Sequence, residues 1–154
     1  MRVEELMTRH VATCHADSTL ADAARIMWEH DCGAVPVVDG ERLVGIVTDR
    51  DTLMAAFTRG RRLDEVAVDA AMARDVRTCQ PRDHLQSAER VMREAKVHRL
   101  PVVDYGGRLV GILALADLAR HVHSGLWAAS GLSAQSVAQT LASISEARPA
   151  APPR

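Results

Sequence analysis

The tetrapeptide Thr48-Asp49-Arg50-Asp51 carries the side chains needed to hold a sugar phosphate. A carboxylate accepts hydrogen bonds through both of its oxygens, so Asp51 suits the adjacent 2′- and 3′-hydroxyls of a ribose. A threonine hydroxyl at a helix start donates to a phosphate, and the neighbouring backbone N–H groups and the helix dipole favour that anion. Thr48 is placed for this, and Arg50 adds a permanent cation. The same Thr-x-x-Asp spacing is also a capping box, in which both side chains serve only the first turn of the helix. Ligand contact and plain capping are both open here. A second acid, Asp117, stands at the same spacing behind Ala114, where the hydroxyl is missing.

The second acid is there because the chain repeats itself. Displaced by 65 positions, Met7 falls on Met72, Thr13 on Thr78, Cys14 on Cys79, Leu20 on Leu85, Met27 on Met92, and Val37-Val38-Asp39 on Val102-Val103-Asp104. One extra residue enters at Tyr105-Gly106-Gly107, after which Arg42-Leu43-Val44-Gly45-Ile46 matches Arg108-Leu109-Val110-Gly111-Ile112 and Asp51 matches Asp117. Matches this dense along a whole unit indicate duplication.

Each copy reads as β-α-β-β-α. Extended pieces, Val11 to Cys14 and Val76 to Cys79, precede helices whose buried stripes are Leu20, Ala23, Ala24 and Met27, then Leu85, Ala88, Met92 and Ala95. Asp17, Ser18 or Thr19 caps the first. Hairpins follow: Ala34–Val38 with Leu43–Val47 through Asp39-Gly40-Glu41, and Leu100–Val103 with Leu109–Leu113. Closing helices are expected over 50–58 and 116–123. The strands are continuously apolar, as in a sheet covered by helices. One unit buries too little surface to stand alone, so two are expected to pack sheet to sheet about a pseudo-twofold axis. The expected organisation is repeat 1 over 1–58, a polar linker over 59–71, repeat 2 over 72–123, a helical extension over 124–147 and a disordered tail over 148–154. In the extension, Val137, Leu141 and Ile144 form one stripe, and Leu126-Trp127 needs a cover that a symmetric dimer would supply. The fold class is α+β (α/β).

Gly33-Ala34-Val35-Pro36-Val37-Val38-Asp39 and Leu43-Val44-Gly45-Ile46-Val47-Thr48-x-x-Asp51, with their second copies His98-Arg99-Leu100-Pro101-Val102-Val103-Asp104 and Leu109-Val110-Gly111-Ile112-Leu113-Ala114-x-x-Asp117, resemble a CBS domain pair, or Bateman module, over residues 4 to 122. The resemblance implies binding of AMP, ADP, ATP, S-adenosylmethionine or NAD between the repeats, and assembly of two pairs into a disc-shaped dimer. It implies two clefts. One would set Asp117, His98 and Arg99 against Val11, Ala12, Cys32 and Gly33, whose backbone and small side chains would line an adenine slot. The other would set Thr48, Arg50 and Asp51 against Val76, Arg77, Val97 and His98. The clefts are chemically unequal, one having the threonine and the other Arg99. Arg99 suits phosphate and fits a solvated strand-end arginine equally well.

Other functions are excluded or disfavoured. The chain has 154 residues and a net charge of −1, with 47% hydrophobic, 25% charged and 3% aromatic residues, so it folds around an aliphatic core and has no general attraction to nucleic acid or anionic membrane. No apolar run has the length of a membrane span, the charged start is unlike a signal peptide, and the three cysteines form no disulfide framework; a cytoplasmic location is expected. Cys14-His15, with His10 nearby and Cys79 as the counterpart of Cys14, matches no zinc spacing, and Gln80 replaces the histidine, so buried thiols are the expected reading, with a soft divalent metal shared across a dimer interface as the alternative. No nucleophile elbow, phosphate loop, HExxH or GxGxxG occurs, which points away from an enzyme. The expectation is a non-catalytic sensor, a homodimer that responds to an adenine nucleotide and modulates a protein partner. The alternative is a ligand-free structural or stress-related dimer with vestigial clefts.

Overall fold

The computed structural model describes residues 1–125 and 130–146; the Leu126-Trp127 pair and the 148–154 tail lie outside the described residues. The elements run α1 (Leu20–Glu29), β1 (Ala34–Asp39), β2 (Arg42–Thr48), α2 (Asp49–Arg59), α3 (Leu85–Ala95), β3 (Arg99–Val103), β4 (Leu109–Ala114), α4 (Leu115–His123) and α5 (Ala134–Ser145).

Local chemistry accounts for the boundaries. Of the three expected caps of α1, Thr19 takes the position: its hydroxyl accepts from Asp22 N–H at 3.1 Å while Asp22 accepts from Thr19 N–H at 3.0 Å. Leu20, Ala23 and Met27 are buried beneath that helix, and Ala24 is half-buried at the edge of the stripe. Helix α2 stops at Gly60, whose φ of 60° continues no α-helix. The strands pair as two antiparallel hairpins, β1 with β2 and β3 with β4, each with a register irregularity at the equivalent place, Val37/Val38 and Val102/Val103.

The leading strand expected in each repeat is reduced to one bridge. Cys14 pairs in parallel with Val37 and Cys79 with Val102. In the first copy a turn begins at once, Ser18 N–H donating to His15 O at 3.1 Å, and ends the extension.

The two halves exchange their lead-in segments. Val3 and Met7 are buried in the second core, with Leu85, Leu100 and Leu113, whereas Val68 and Met72 are buried in the first, with Leu20, Val35 and Val47. Backbone bonds fix the exchange: Thr8 and Ile112 bond reciprocally at 2.9 and 3.0 Å, and Ala73 and Ile46 at 2.8 and 3.0 Å. Gly45 and Gly111 permit it. A Cβ on Gly45 would lie 2.6 Å from Met72 Sδ, and one on Gly111 would lie 2.7 Å from Met7 Sδ. The stretch over 59–71 is therefore polar only in part, since it delivers Val66 and Val68 into the first core. The hairpins also touch across the pseudo-twofold, Leu43 N–H donating to Gly107 O at 3.1 Å and Leu109 N–H to Glu41 O at 2.9 Å.

Helix α5 breaks the symmetry. It lies against α3 and α4 of the second half, where Thr140 Oγ1 donates to the buried Glu89 Oε1 at 3.0 Å and Lys96 pairs with Glu146 at 2.6 Å. The expected stripe is turned slightly. Val137 and Thr140 are buried and Ile144 packs on the core, but Leu141 is 49% exposed. The hydroxyl of Thr140 on the inner face supplies a donor to the buried Glu89 carboxylate, which a hydrocarbon could not.

Candidate functional site

The two Asp51-type junctions sit at equivalent places and differ in what their carboxylates are free to do. At the first, the Thr48 hydroxyl donates to Asp51 Oδ2 at 2.8 Å, Thr48 N–H donates to the same oxygen at 2.9 Å, and Asp51 N–H donates to the hydroxyl at 3.1 Å. The capping box is complete. It uses one carboxylate oxygen, and among the described residues no group bonds to Oδ1 of Asp51. Asp51 is half-buried and Arg50 exposed.

At the second, Ala114 N–H donates to Asp117 Oδ2 at 2.8 Å, so the acid caps the helix without a hydroxyl partner. Its other oxygen, Oδ1, is held by Arg120. The residue matching Arg120 in the first half is Met54, which has no donor to offer. Asp117 is thus buried with both oxygens engaged, whereas Asp51 has one oxygen without a partner among the described residues. The duplication offered this distinction in the sequence, through the Met54/Arg120 pair, but the helical i, i+3 reach of Arg120 had to be seen.

Each strand-to-helix junction is pinned to the start of the preceding hairpin. Asp49 N–H donates to Gly33 O at 3.1 Å and Leu115 N–H donates to His98 O at 2.8 Å. Beside each junction lies a cavity. The first, about 940 Å³, is lined by Cys32, Gly33, Asp49, Thr52, Leu53 and residues of α1. The absence of a side chain on Gly33 gives Asp49 its place, since a Cβ there would lie 3.0 Å from Oδ2. The second, about 760 Å³, is lined by His98, Arg99, Ala114, Leu115 and Ala119, with α5 as its far wall. His98 and Arg99 are therefore together, and Cys32 and Gly33 are together, but in separate cavities. Val11, Ala12, Val76, Thr48, Arg50, Asp51 and Asp117 line neither of the two. Val11, Ala12 and Val76 are half-buried, as is Val97, and Arg77 is exposed.

Two of the three cysteines, Cys14 and Cys79, are shielded from chemistry. Burial, assisted by Asp22, pushes the Cys14 thiol up to about 11, and burial with a smaller effect of Asp83 pushes Cys79 up to about 12. A thiol must ionise to act as nucleophile or metal ligand. Among the described residues no three His, Cys, Asp or Glu side chains gather as a metal site, and no helix is long and apolar enough to cross a membrane.

Comparison with known proteins agrees with this duplicated architecture. The sequence profile of the CBS domain matches twice, over residues 3–57 and 66–124. The chain belongs to the CBS domain family. It is 37% identical over 130 residues to the CBS domain-containing protein YhcV of Bacillus subtilis, covering 84% of this chain and 91% of that one. A conserved CBS domain protein of Thermoplasma acidophilum, TA0289, superposes with a TM-score of 0.77 at 28% identity, over 93% of this chain and 75% of that one. Two similar CBS structures hold ligands. The CBS domain pair of MJ0100, in complex with 5′-methylthioadenosine and S-adenosyl-L-methionine, has a TM-score of 0.73 at 25% identity over 81% of this chain and 98% of that one. CBSX2, in complex with AMP, has a TM-score of 0.72 at 28% identity over 81% of this chain and 98% of that one. The CBS pair of this chain is accordingly of the class found in regulatory proteins.

Proposed function

We propose that this CBS pair is a non-catalytic sensor of an adenine nucleotide or adenosine derivative of the AMP/ATP class. One molecule binds in the cleft between repeats that is built on Thr48, Arg50 and Asp51, with Val76 and His98 from the other repeat. The free Oδ1 of Asp51 carries this reading. It is a carboxylate oxygen at a helix start with no partner among the described residues, able to accept from a ribose hydroxyl while Oδ2 keeps the helix capped. The Thr48 hydroxyl already donates to Asp51, so phosphate is held by backbone N–H groups and Arg50. The cleft with Asp117, Arg99, His98, Val11, Ala12, Cys32 and Gly33 is the weaker of the two, because Arg120 competes for its acid. ADP, S-adenosylmethionine and NAD share the adenosine that Asp51 would read. The sensor acts as a cytoplasmic homodimer and modulates a protein partner by a ligand-dependent change between the repeats.

A ligand-free structural dimer is the second reading, favoured at the second cleft by the capture of Asp117 and the missing hydroxyl at Ala114. Thermal unfolding with millimolar AMP, ATP, S-adenosylmethionine or NADH separates them. Binding at one hundred times Kd stabilises by about 2.7 kcal/mol. The expected result is a raised midpoint with one of the four, erased by Asp51→Ala and largely kept by Asp117→Ala. No rise with any of them overturns the sensor.

A further inference from the structure

Between the two helix starts, an arginine and an uncharged residue have traded places. On α2, Arg50 precedes Asp51 and Met54 follows it; on α4 the matching residues are Ala116 and Arg120. Residues three and four apart share a helix face, with Cβ atoms about 5–6 Å apart. Met54 therefore stands beside Asp51, at i, i+3, and beside Arg50, at i, i+4. Arg120 shows what a side chain at this position can reach, since from it the guanidinium bonds Asp117 Oδ1. The Arg50 guanidinium makes no hydrogen bond or ion pair among the described residues.

Met54 is also the methionine that solvent reaches. It is 44% exposed, whereas Met7, Met27, Met72 and Met92 are buried and Met1 is half-buried. As a thioether it is only a weak acceptor, so it leaves Arg50 to the phosphate of a bound nucleotide. A sulfoxide at the same place is polar and carries an exposed oxygen that accepts hydrogen bonds. The Asp51 carboxylate on one side repels that oxygen, and the unpaired guanidinium of Arg50 on the other attracts it.

We propose that Met54 is a redox modification site that closes the first cleft to phosphate-bearing ligands: hydrogen peroxide converts its thioether to the sulfoxide, and the new oxygen takes the Arg50 guanidinium. The proposal rests on the nucleotide reading above and names a regulation of that same site. In the step, the sulfur lone pair bonds to one peroxide oxygen and the O–O bond breaks. The departing hydroxide takes the proton left on the transferred oxygen and leaves as water, so sulfur is oxidised by two electrons and the peroxide is reduced. A methionine sulfoxide reductase fed by thiols reverses it, two thiols becoming a disulfide while the oxygen leaves as water. The second cleft has no such control, because Arg120 stands where the thioether would be.

Calorimetry before and after peroxide tests this, with AMP, ATP and NADH read against adenosine. Met54→Leu, which cannot form a sulfoxide, is treated alongside, and each chain is compared with itself. Dithiothreitol follows the peroxide, because it restores an oxidised Cys32 thiol and leaves a sulfoxide in place. The expected result is one added oxygen mapped to Met54 by mass spectrometry and an unchanged urea midpoint. The affinity for the phosphate-bearing ligand should fall roughly tenfold, with a smaller fall for adenosine, and the reductase should restore it. Met54→Leu should pass through the treatment with its own affinity intact. An equal loss in both chains, an oxidised Met54 with undiminished affinity, or oxidation that spares Met54 overturns the proposal and leaves the nucleotide reading standing. So does an untreated chain that binds only S-adenosylmethionine, which has no phosphate for Arg50. An untreated chain that binds no adenosine ligand overturns both.

Discussion

Arg120 bonds to Oδ1 of Asp117, and the position matching Arg120 beside Asp51 is Met54. One side-chain difference thus decides whether the acid at a helix start is free to meet a ligand. Arg120→Met should release Asp117 and raise the stoichiometry measured by calorimetry from one adenosine-type ligand per chain to two. Met54→Arg should do the reverse at Asp51, weakening binding roughly tenfold or more, as expected for competition by a charged hydrogen bond. A parent that binds two molecules, or a Met54→Arg chain of undiminished affinity, contradicts the assignment.

The caps themselves have measurable worth. Thr48→Ala removes the hydroxyl that accepts from Asp51 N–H and should cost about 1 kcal/mol in urea unfolding. Ala114→Thr supplies the missing hydroxyl to α4, beside an acid already in place, and should stabilise by up to about 1 kcal/mol.

The close passage of Met72 over Gly45, and of Met7 over Gly111, leaves no room for a methyl group. Ala73 O would lie 3.0 Å from a Cβ at Gly45, and Thr8 O 2.9 Å from one at Gly111. Backbone oxygen cannot turn aside as a side chain does. Gly45→Ala and Gly111→Ala should each lower stability by roughly 1–3 kcal/mol, read as a lower denaturant midpoint.

Thiol chemistry should separate the cysteines. Near pH 8 (below even the ordinary thiol range) a disulfide-exchange reagent should label Cys32 in the native protein and all three thiols after denaturation. The raised values of Cys14 and Cys79 also carry a sign. Between the ordinary value of 9.0 and the native values of about 11 and 12, the unfolded chain loses protons that the folded chain keeps. Stability contributed by these buried thiols is complete below that window and declines as pH rises through it. The melting temperature should fall on alkaline titration, and the fall should be smaller in Cys79→Ala.

Removing the hydroxyl of Thr140 tests how α5 is held. Thr140→Val leaves the buried Glu89 without that donor and should cost about 1–3 kcal/mol, whereas the exposed Leu141→Ala should cost far less.

Much of this was legible in the sequence. The matched residues reveal the duplication, and the apolar runs at Ala34–Val38 and Leu43–Val47 become hairpin strands because local pattern and tertiary burial agree there. Periodicity is silent on which core receives a short segment, so the passage of Val3 and Val68 into opposite halves needed the structure. The same limit hid the rotation of α5, where Thr140 looks polar until Glu89 is found opposite it. At the candidate site, Asp51 and Asp117 were visible as a pair. The sequence shows their inequality as Thr48 beside one acid and Arg99 beside the other, and Arg120 adds to it by bonding Asp117 from one helical turn away.

The exchange of lead-in segments bears on how the chain is made. Met7 is made long before Leu100 and Leu113, which are among its neighbours in the second core. The first core, in turn, cannot close until Met72 has emerged. Vectorial synthesis therefore gives the first repeat no chance to finish alone, and Val3 and Met7 wait for the strands of the second repeat. Severing the chain between its two repeats would strand each with the other's missing piece, so the two fragments should recover structure only when present together.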